Sequence, residues 1–210
     1  MPMLHKEVLT EAQMGLLPTI KGFSGDFGLV GGTAIGLHIG HRESIDFDLF
    51  TKDPSAEFKT AKLKRTFARG ALLDKVLWEE GPELTFVTKT EVKVTFYHFE
   101  YLIPYTEPFE RVINLPTLLT LAAMKAFALG QRSKWKDYVD LYFILRDFHS
   151  LEEVTRQAET LFGSEFNAKL FRQQLSYFDD INYKEPVVFK SGFEVPDAEI
   201  KKALTEYSLA

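Results

Sequence analysis

Leu29-Val30-Gly31-Gly32-Thr33-Ala34-Ile35-Gly36-Leu37-His38, followed after Ile39 by Gly40-His41-Arg42-Glu43-Ser44-Ile45-Asp46-Phe47-Asp48-Leu49-Phe50, is the stretch whose reading decides the fold. Phe27 to Val30 reads as a short buried strand, Gly31 and Gly32 as a turn, and Thr33 to Ile39 as a short helix ended by Gly40. A glycine pair between strand and helix lets the backbone approach a phosphate closely. The helix N-terminus adds N–H groups and the positive end of its dipole, so a triphosphate suits the turn. Ile45 to Phe50 then alternates apolar and acidic residues, as a strand does, which puts Asp46 and Asp48 on one face and Ile45, Phe47 and Leu49 on the other. Two adjacent carboxylates repel unless a cation sits between them, and Mg2+ is a hard ion held by one or two carboxylates plus substrate phosphates. Alone, the Gly-Gly is an ordinary turn and the Asp-x-Asp an ordinary solvated strand edge. Placed on neighbouring strands joined by one short helix, they would bring a phosphate binder and a metal binder to the same end of a sheet.

Working outward, Leu4 to about Phe23 has helical apolar spacing weakened by Gly15 and Pro18, and Pro54 opens a second helix to about Arg69. Leu72 to Trp78, Leu84 to Thr88 and Val92 to Phe99 read as strands, rich in β-branched and aromatic residues, with Gly81-Pro82 as a turn. Pro104 to Pro116 contains three prolines and reads as a linker. Beyond it the pattern is helical: Thr117 to Leu129, Lys134 to Phe148, Leu151 to Phe162, Glu165 to about Phe178, and Pro196 to Tyr207, with no clear reading from Asn182 to the last of these. The expected architecture is α+β: a mixed-sheet domain over residues 1–112, a helical domain over 113–210, and a ligand cleft between them.

Composition narrows the functional classes. With 45% hydrophobic residues and 19 Phe among 210, the chain suits a well-filled globular interior. It has no cysteine, which removes disulfides, thiolate nucleophiles and Cys-type zinc sites. A net charge of −5 argues against a general nucleic-acid binder, although Lys59, Lys62, Lys64, Arg65 and Arg69 crowd one segment and Arg132, Lys134 and Lys136 another. The five histidines form no sequence cluster, and a surface imidazole is the plainest description of His41. No Gly-x-Ser-x-Gly elbow and no Gly-Lys-Ser/Thr phosphate loop is present. There is no apolar signal core in the first ten residues and no apolar run long enough to span a bilayer, so the expectation is a cytoplasmic protein with no membrane association.

In the helical half, Lys125 is the only charge between Arg111 and Arg132. Such a lysine either snorkels or is aimed at an anion. Asp137 and Asp140, three apart, share a helix face opposite the apolar stripe Trp135, Val139, Tyr142 and Phe143, and would pair with Lys134 or Lys136 in the plainest reading.

The Gly-Gly-Thr followed by Arg42-x-Ser44-x-Asp46-x-Asp48 resembles the signature of DNA polymerase beta-type nucleotidyltransferases. More narrowly it is similar to the AbiEii/AbiGii toxin family, and Lys125 with Lys136-Asp137-Tyr138-Val139-Asp140-Leu141-Tyr142 matches that family's Lys-Asp-x-x-Asp-Leu-Tyr motif. The resemblance covers roughly residues 26 to 146. It implies Mg2+-dependent transfer of a nucleotidyl group from an NTP to a hydroxyl of an RNA such as tRNA, or of a protein, and an antitoxin partner. Asp46 and Asp48 would hold the metal. Gly31, Gly32, Thr33 and Ser44 would line the triphosphate, Arg42 and Lys125 would offset its charge, and Asp137 and Asp140 would be catalytic. The rival expectation is an NTP-binding or partner-binding module of the same fold with turnover weakened or lost.

That rival rests on Thr95. Polymerase beta-type enzymes commonly carry a third carboxylate on a later strand, and alternation along Glu91 to Tyr97 sends Glu91, Lys93, Thr95 and Tyr97 to the face expected to carry Asp46 and Asp48. A threonine stands where the resemblance implies an acid. Glu91 could substitute, Asp137 or Asp140 could supply the acid or base, or turnover could be lost; the reading adopted is the second.

Overall fold

The computed structural model describes residues 4–70 and 72–209. It forms two compact units, one comprising the chain up to Ile39 together with Glu43–Thr117, the other Gly40–Arg42 together with the chain from Leu118. Three residues next to the Asp-x-Asp strand thus belong to the helical unit.

The first unit opens with a 3-10 turn, Lys6–Val8, and helix α1, Glu11–Lys21. α1 starts at Thr10 because Thr10 and Gln13 form a reciprocal capping box, and it contains Pro18 without ending there. Strand β1 (Phe27–Val30), helix α2 (Gly31–Ile39) and strand β2 (Asp46–Thr51) follow as the sequence predicts, except that Gly31 and Gly32 form the first helical residues rather than a separate turn. Helix α3 spans only Thr60–Arg69, so the expected start at Pro54 is six residues early: residues 54–59 are turns and loop. The remaining strands are β3 (Leu73–Glu80), β4 (Glu83–Thr88), β5 (Lys93–Tyr97), β6 (Glu107–Phe109) and β7 (Ile113–Leu115).

Five strands form a mixed sheet in the order β1-β2-β5-β4-β3, in which only β2 and β5 run parallel. Alternation sorts its faces. Phe47, Leu49, Leu84, Phe86, Val94 and Phe96 are fully buried, and Phe96 and Phe86 join Phe23, Phe27 and Phe67 in one aromatic cluster with centroid separations of 4.7 to 6.5 Å. The opposite face carries Asp46, Asp48, Lys93 and Thr95. The segment read as a linker is instead the β6–β7 hairpin; β7 lies along β1, and Tyr105 packs over Gly28, where a Cβ would overlap its ring. Of its prolines only Pro108 lies in a strand, β6, where an edge position requires no donor; Pro104 and Pro116 flank the ribbon.

The second unit is helical: α4 (Leu118–Leu129), α5 (Trp135–Asp147), α6 (Leu151–Phe162), α7 (Ala168–Leu175) and α8 (Asp197–Leu209). Ser150 and Glu153 cap α6 reciprocally, and Asn167 caps α7, which is shorter than its apolar spacing suggests. α5 is its centre, with every residue from Asp137 to Ile144 buried. The irregular chain between α7 and α8 is tied down at Asn182, bridged to Lys134; at Phe189, bridged to Arg42; and around Lys201, whose ammonium lies 5.4 to 5.6 Å from the rings of Trp135, Phe178 and Tyr183. No described helix is long and apolar enough to cross a membrane.

Candidate functional site

The first unit brings the glycine pair and the Asp-x-Asp together. Gly31 has φ +72, a conformation L side chains rarely adopt, and a Cβ there would overlap Asp48 Oδ2 and lie 3.0 Å from its Cγ. The Asp48 carboxylate therefore rests directly against the start of α2, where the first N–H groups of a helix have no intrahelical acceptor. Thr33 is 1% exposed; its hydroxyl lies 2.9 Å from Ser44 Oγ and also reaches the Asp46 carbonyl. Thr33 and Ser44 thus brace α2 to the entry of β2, and what this turn offers a phosphate is backbone.

Because β2 and β5 are parallel and in register, Asp46 lies opposite Lys93 and Asp48 opposite Thr95. Lys93 Nζ is 2.7 Å from Asp46 Oδ2. Thr95 Oγ1 is 3.1 Å from Thr85 Oγ1, which is 2.6 Å from Glu83 Oε1. Thr85 has one hydroxyl proton to offer to these two contacts, and the Glu83 carboxylate can only accept it. Glu91 is outside β5, in the preceding turn with φ 62, so strand alternation does not apply to it. Among the described residues no three His, Asp or Glu side chains converge on a metal position. The donor set of Asp46 and Asp48 beside a helix N-terminus fits one divalent ion completed by substrate oxygens, not a closed protein cage.

The second unit gathers the other predicted residues. Arg42, 1% exposed, is bidentate on Asp140, with Nε 2.7 Å from Oδ1 and Nη2 2.8 Å from Oδ2. His41 Nε2 is 2.8 Å from the same Oδ1, and the ring is fully buried against Phe143, so the surface description of this imidazole is corrected. Lys125 Nζ contacts Asp137 Oδ1 and lies 3.1 Å from Asp140 Oδ2; Arg132 Nε is 3.0 Å from Asp137 Oδ2. Lys134 and Lys136, the partners expected for these carboxylates, pair with Glu185 instead, at 2.9 and 3.5 Å.

Burial alone would raise the Asp140 pKa, but Arg42 and then Lys125 hold it well below the ordinary carboxylate range. Asp137 is likewise depressed, its burial outweighed by Lys125 and Arg132. Burial lowers His41 more than its Asp140 contact raises it. A neutral His41 donating from Nε2 leaves Nδ1, which has no hydrogen-bond partner.

One pairing escaped the sequence reading: Arg42 is bidentate on Asp140, 98 residues away. Lys93 lies on the face where strand alternation placed it, and the parallel register of β2 and β5 sets it opposite Asp46.

Comparisons with known proteins extend over both units. An uncharacterized protein of Aquifex aeolicus (strain VF5) is 29% identical over 194 residues, 89% of this chain and 90% of its own. MenT4, a nucleotidyltransferase toxin from Mycobacterium tuberculosis H37Rv, is similar in fold at 13% identity and TM-score 0.60, covering 94% of this chain and 81% of its own. JHP933 from Helicobacter pylori gives 15% identity and TM-score 0.58 over 98% and 92%. At such identities the structural likeness speaks for the fold. The match that speaks for the family is to the nucleotidyl transferase AbiEii toxin model of type IV toxin–antitoxin systems over residues 19–206, and the chain belongs to that nucleotidyltransferase family.

Proposed function

We propose that this chain transfers a nucleotidyl group from an NTP to a hydroxyl of an RNA, tRNA-like in class, or of a protein, with Mg2+ held by Asp46 and Asp48. The observation that carries this reading is the Asp48 carboxylate lying against Gly31 at the start of α2. It supports a metal-bound phosphate meeting the backbone N–H groups of Gly31, Gly32 and Thr33. The bound ion would polarise the phosphoryl group and neutralise its charge. The acceptor oxygen bonds to the α-phosphorus, the bond from that phosphorus to the oxygen bridging the β-phosphate breaks, pyrophosphate leaves, and the hydroxyl proton passes to solvent.

Lys125 is the second unit's candidate for a triphosphate oxygen, oriented by Asp137 and Asp140. Those two carboxylates, each shared between cations and held weakly basic, serve as positioning residues; the acid or base role expected for them is not what their surroundings support. Arg42, locked on Asp140, fixes the chain four residues before Asp46. The family makes an antitoxin the expected partner.

Incubating the protein with each α-labelled NTP, Mg2+ and total cell RNA or lysate tests the proposal. Label on a macromolecule, absent with Asp48→Asn, is the expected result. Mg2+-dependent NTP binding with no label transferred would instead identify a nucleotide-binding module, the reading favoured by Thr95 standing opposite Asp48.

A further inference from the structure

The face of the sheet that carries Asp46 and Asp48 is short of acids and holds a cation of its own. Lys93 Nζ sits 2.7 Å from Asp46 Oδ2, the two side chains 30% and 22% exposed, so the ion pair is partly open to solvent. The neighbours of Asp48 along the face are Thr95 and then Thr85. Glu83, the next acid along that face, accepts from Thr85 at 2.6 Å. A first divalent ion can take Asp48 and the Asp46 oxygen not facing Lys93. Among the described residues no third His, Asp or Glu side chain joins these two at a metal position, and a second ion would stand against an ammonium.

We propose that Lys93 is the second cation of this site: its ammonium occupies the place beside Asp46 where a second divalent ion would bind, and offsets triphosphate charge in its stead. The inference rests on Asp46 and Asp48 being the metal ligands. It explains how a site with Thr95 in place of an acid sustains transfer. Negative charge gathers on the departing pyrophosphate as its bond to the α-phosphorus breaks, and a fixed ammonium on the same sheet face offsets it without a second metal ion. The ammonium takes no proton from the acceptor hydroxyl, which loses it to solvent.

The test counts metal ions as well as turnover. Mn2+ bound to the full chain, saturated with α,β-methylene analogues of the four NTPs, is measured by electron paramagnetic resonance. One protein-bound Mn2+ per chain is expected for wild type, and two for the double variant Lys93→Met with Thr95→Asp, which removes the ammonium and adds an acid. Lys93→Met alone should lower transfer about 10²-fold, the range for losing one preorganised charge, and Lys93→Arg should lower it less. Two Mn2+ ions on wild type, or wild-type turnover by Lys93→Met, overturns the inference while leaving Asp46 and Asp48 as ligands. No Mn2+ on wild type with any analogue overturns the metal reading itself.

Discussion

Asp46/Asp48 and Asp137/Asp140 are both pairs of acids on one face of one element, yet the structure treats them oppositely. The strand pair is partly exposed, and Lys93 sits on Asp46. The helix pair is sealed: Asp137 and Asp140 are 1% and 0% exposed and lie among Arg42, Lys125 and Arg132. A carboxylate already neutralised by fixed cations gains little from a metal ion, whereas one facing a helix N-terminus and solvent can take an ion with its substrate. Residue type and spacing propose both pairs; in the proposed function, the charge already present around each separates ligand from scaffold.

That contrast can be broken at either end. Asp48→Asn should lower transfer about 10³-fold, the upper range for losing one preorganised electrostatic contact, with the melting temperature unchanged. Asp140→Asn should act on the fold, leaving the buried Arg42 without its counter-charge and destabilising the chain by about 3–5 kcal/mol in denaturant unfolding. If the stability of Asp140→Asn were wild-type, the scaffold role would be lost.

Acid should reveal the same pair. Asp137 and Asp140 are held below the ordinary range in the folded chain, so below about pH 4 the unfolded chain binds more protons than the folded one. Stability present above that pH is therefore lost as pH falls through it toward the folded-state values, and Asp140→Asn should show a shallower loss in melts across that window. Gly31→Ala, strained at φ +72 and driven into Asp48, should weaken Mg2+-dependent NTP binding and destabilise the chain by about 1–2 kcal/mol. The smallest effect belongs to Arg132→Ala: its side chain is 51% exposed, and a stability change under about 1 kcal/mol is expected.

What could be read from the sequence was local. The strand–glycine–helix–strand order around Gly31 and the alternation of β2 follow from patterns a few residues long, and the structure keeps both. Two local signals misled. Prolines in residues 104–116 suggested a linker where β6 and β7 pair, and Pro54 suggested a helix start that comes at Thr60. The ion pairs of each unit join residues distant in the chain: Arg42 on Asp140 and Lys125 beside Asp137 in the second, Lys93 on Asp46 in the first. Composition shows that these charges exist, but only the fold assigns their partners, and so the buried bidentate pair of Arg42 was not legible in the sequence.

The central claim is that Asp46 and Asp48 form the metal–triphosphate site and the buried pair does not. The most direct measurement is calorimetric titration of a non-hydrolysable NTP with and without Mg2+ into wild type and a folded Asp46→Asn/Asp48→Asn variant. The account predicts Mg2+-dependent binding in the wild type, abolished in the variant at unchanged melting temperature. Mg2+-dependent binding that survives intact in the variant would contradict it.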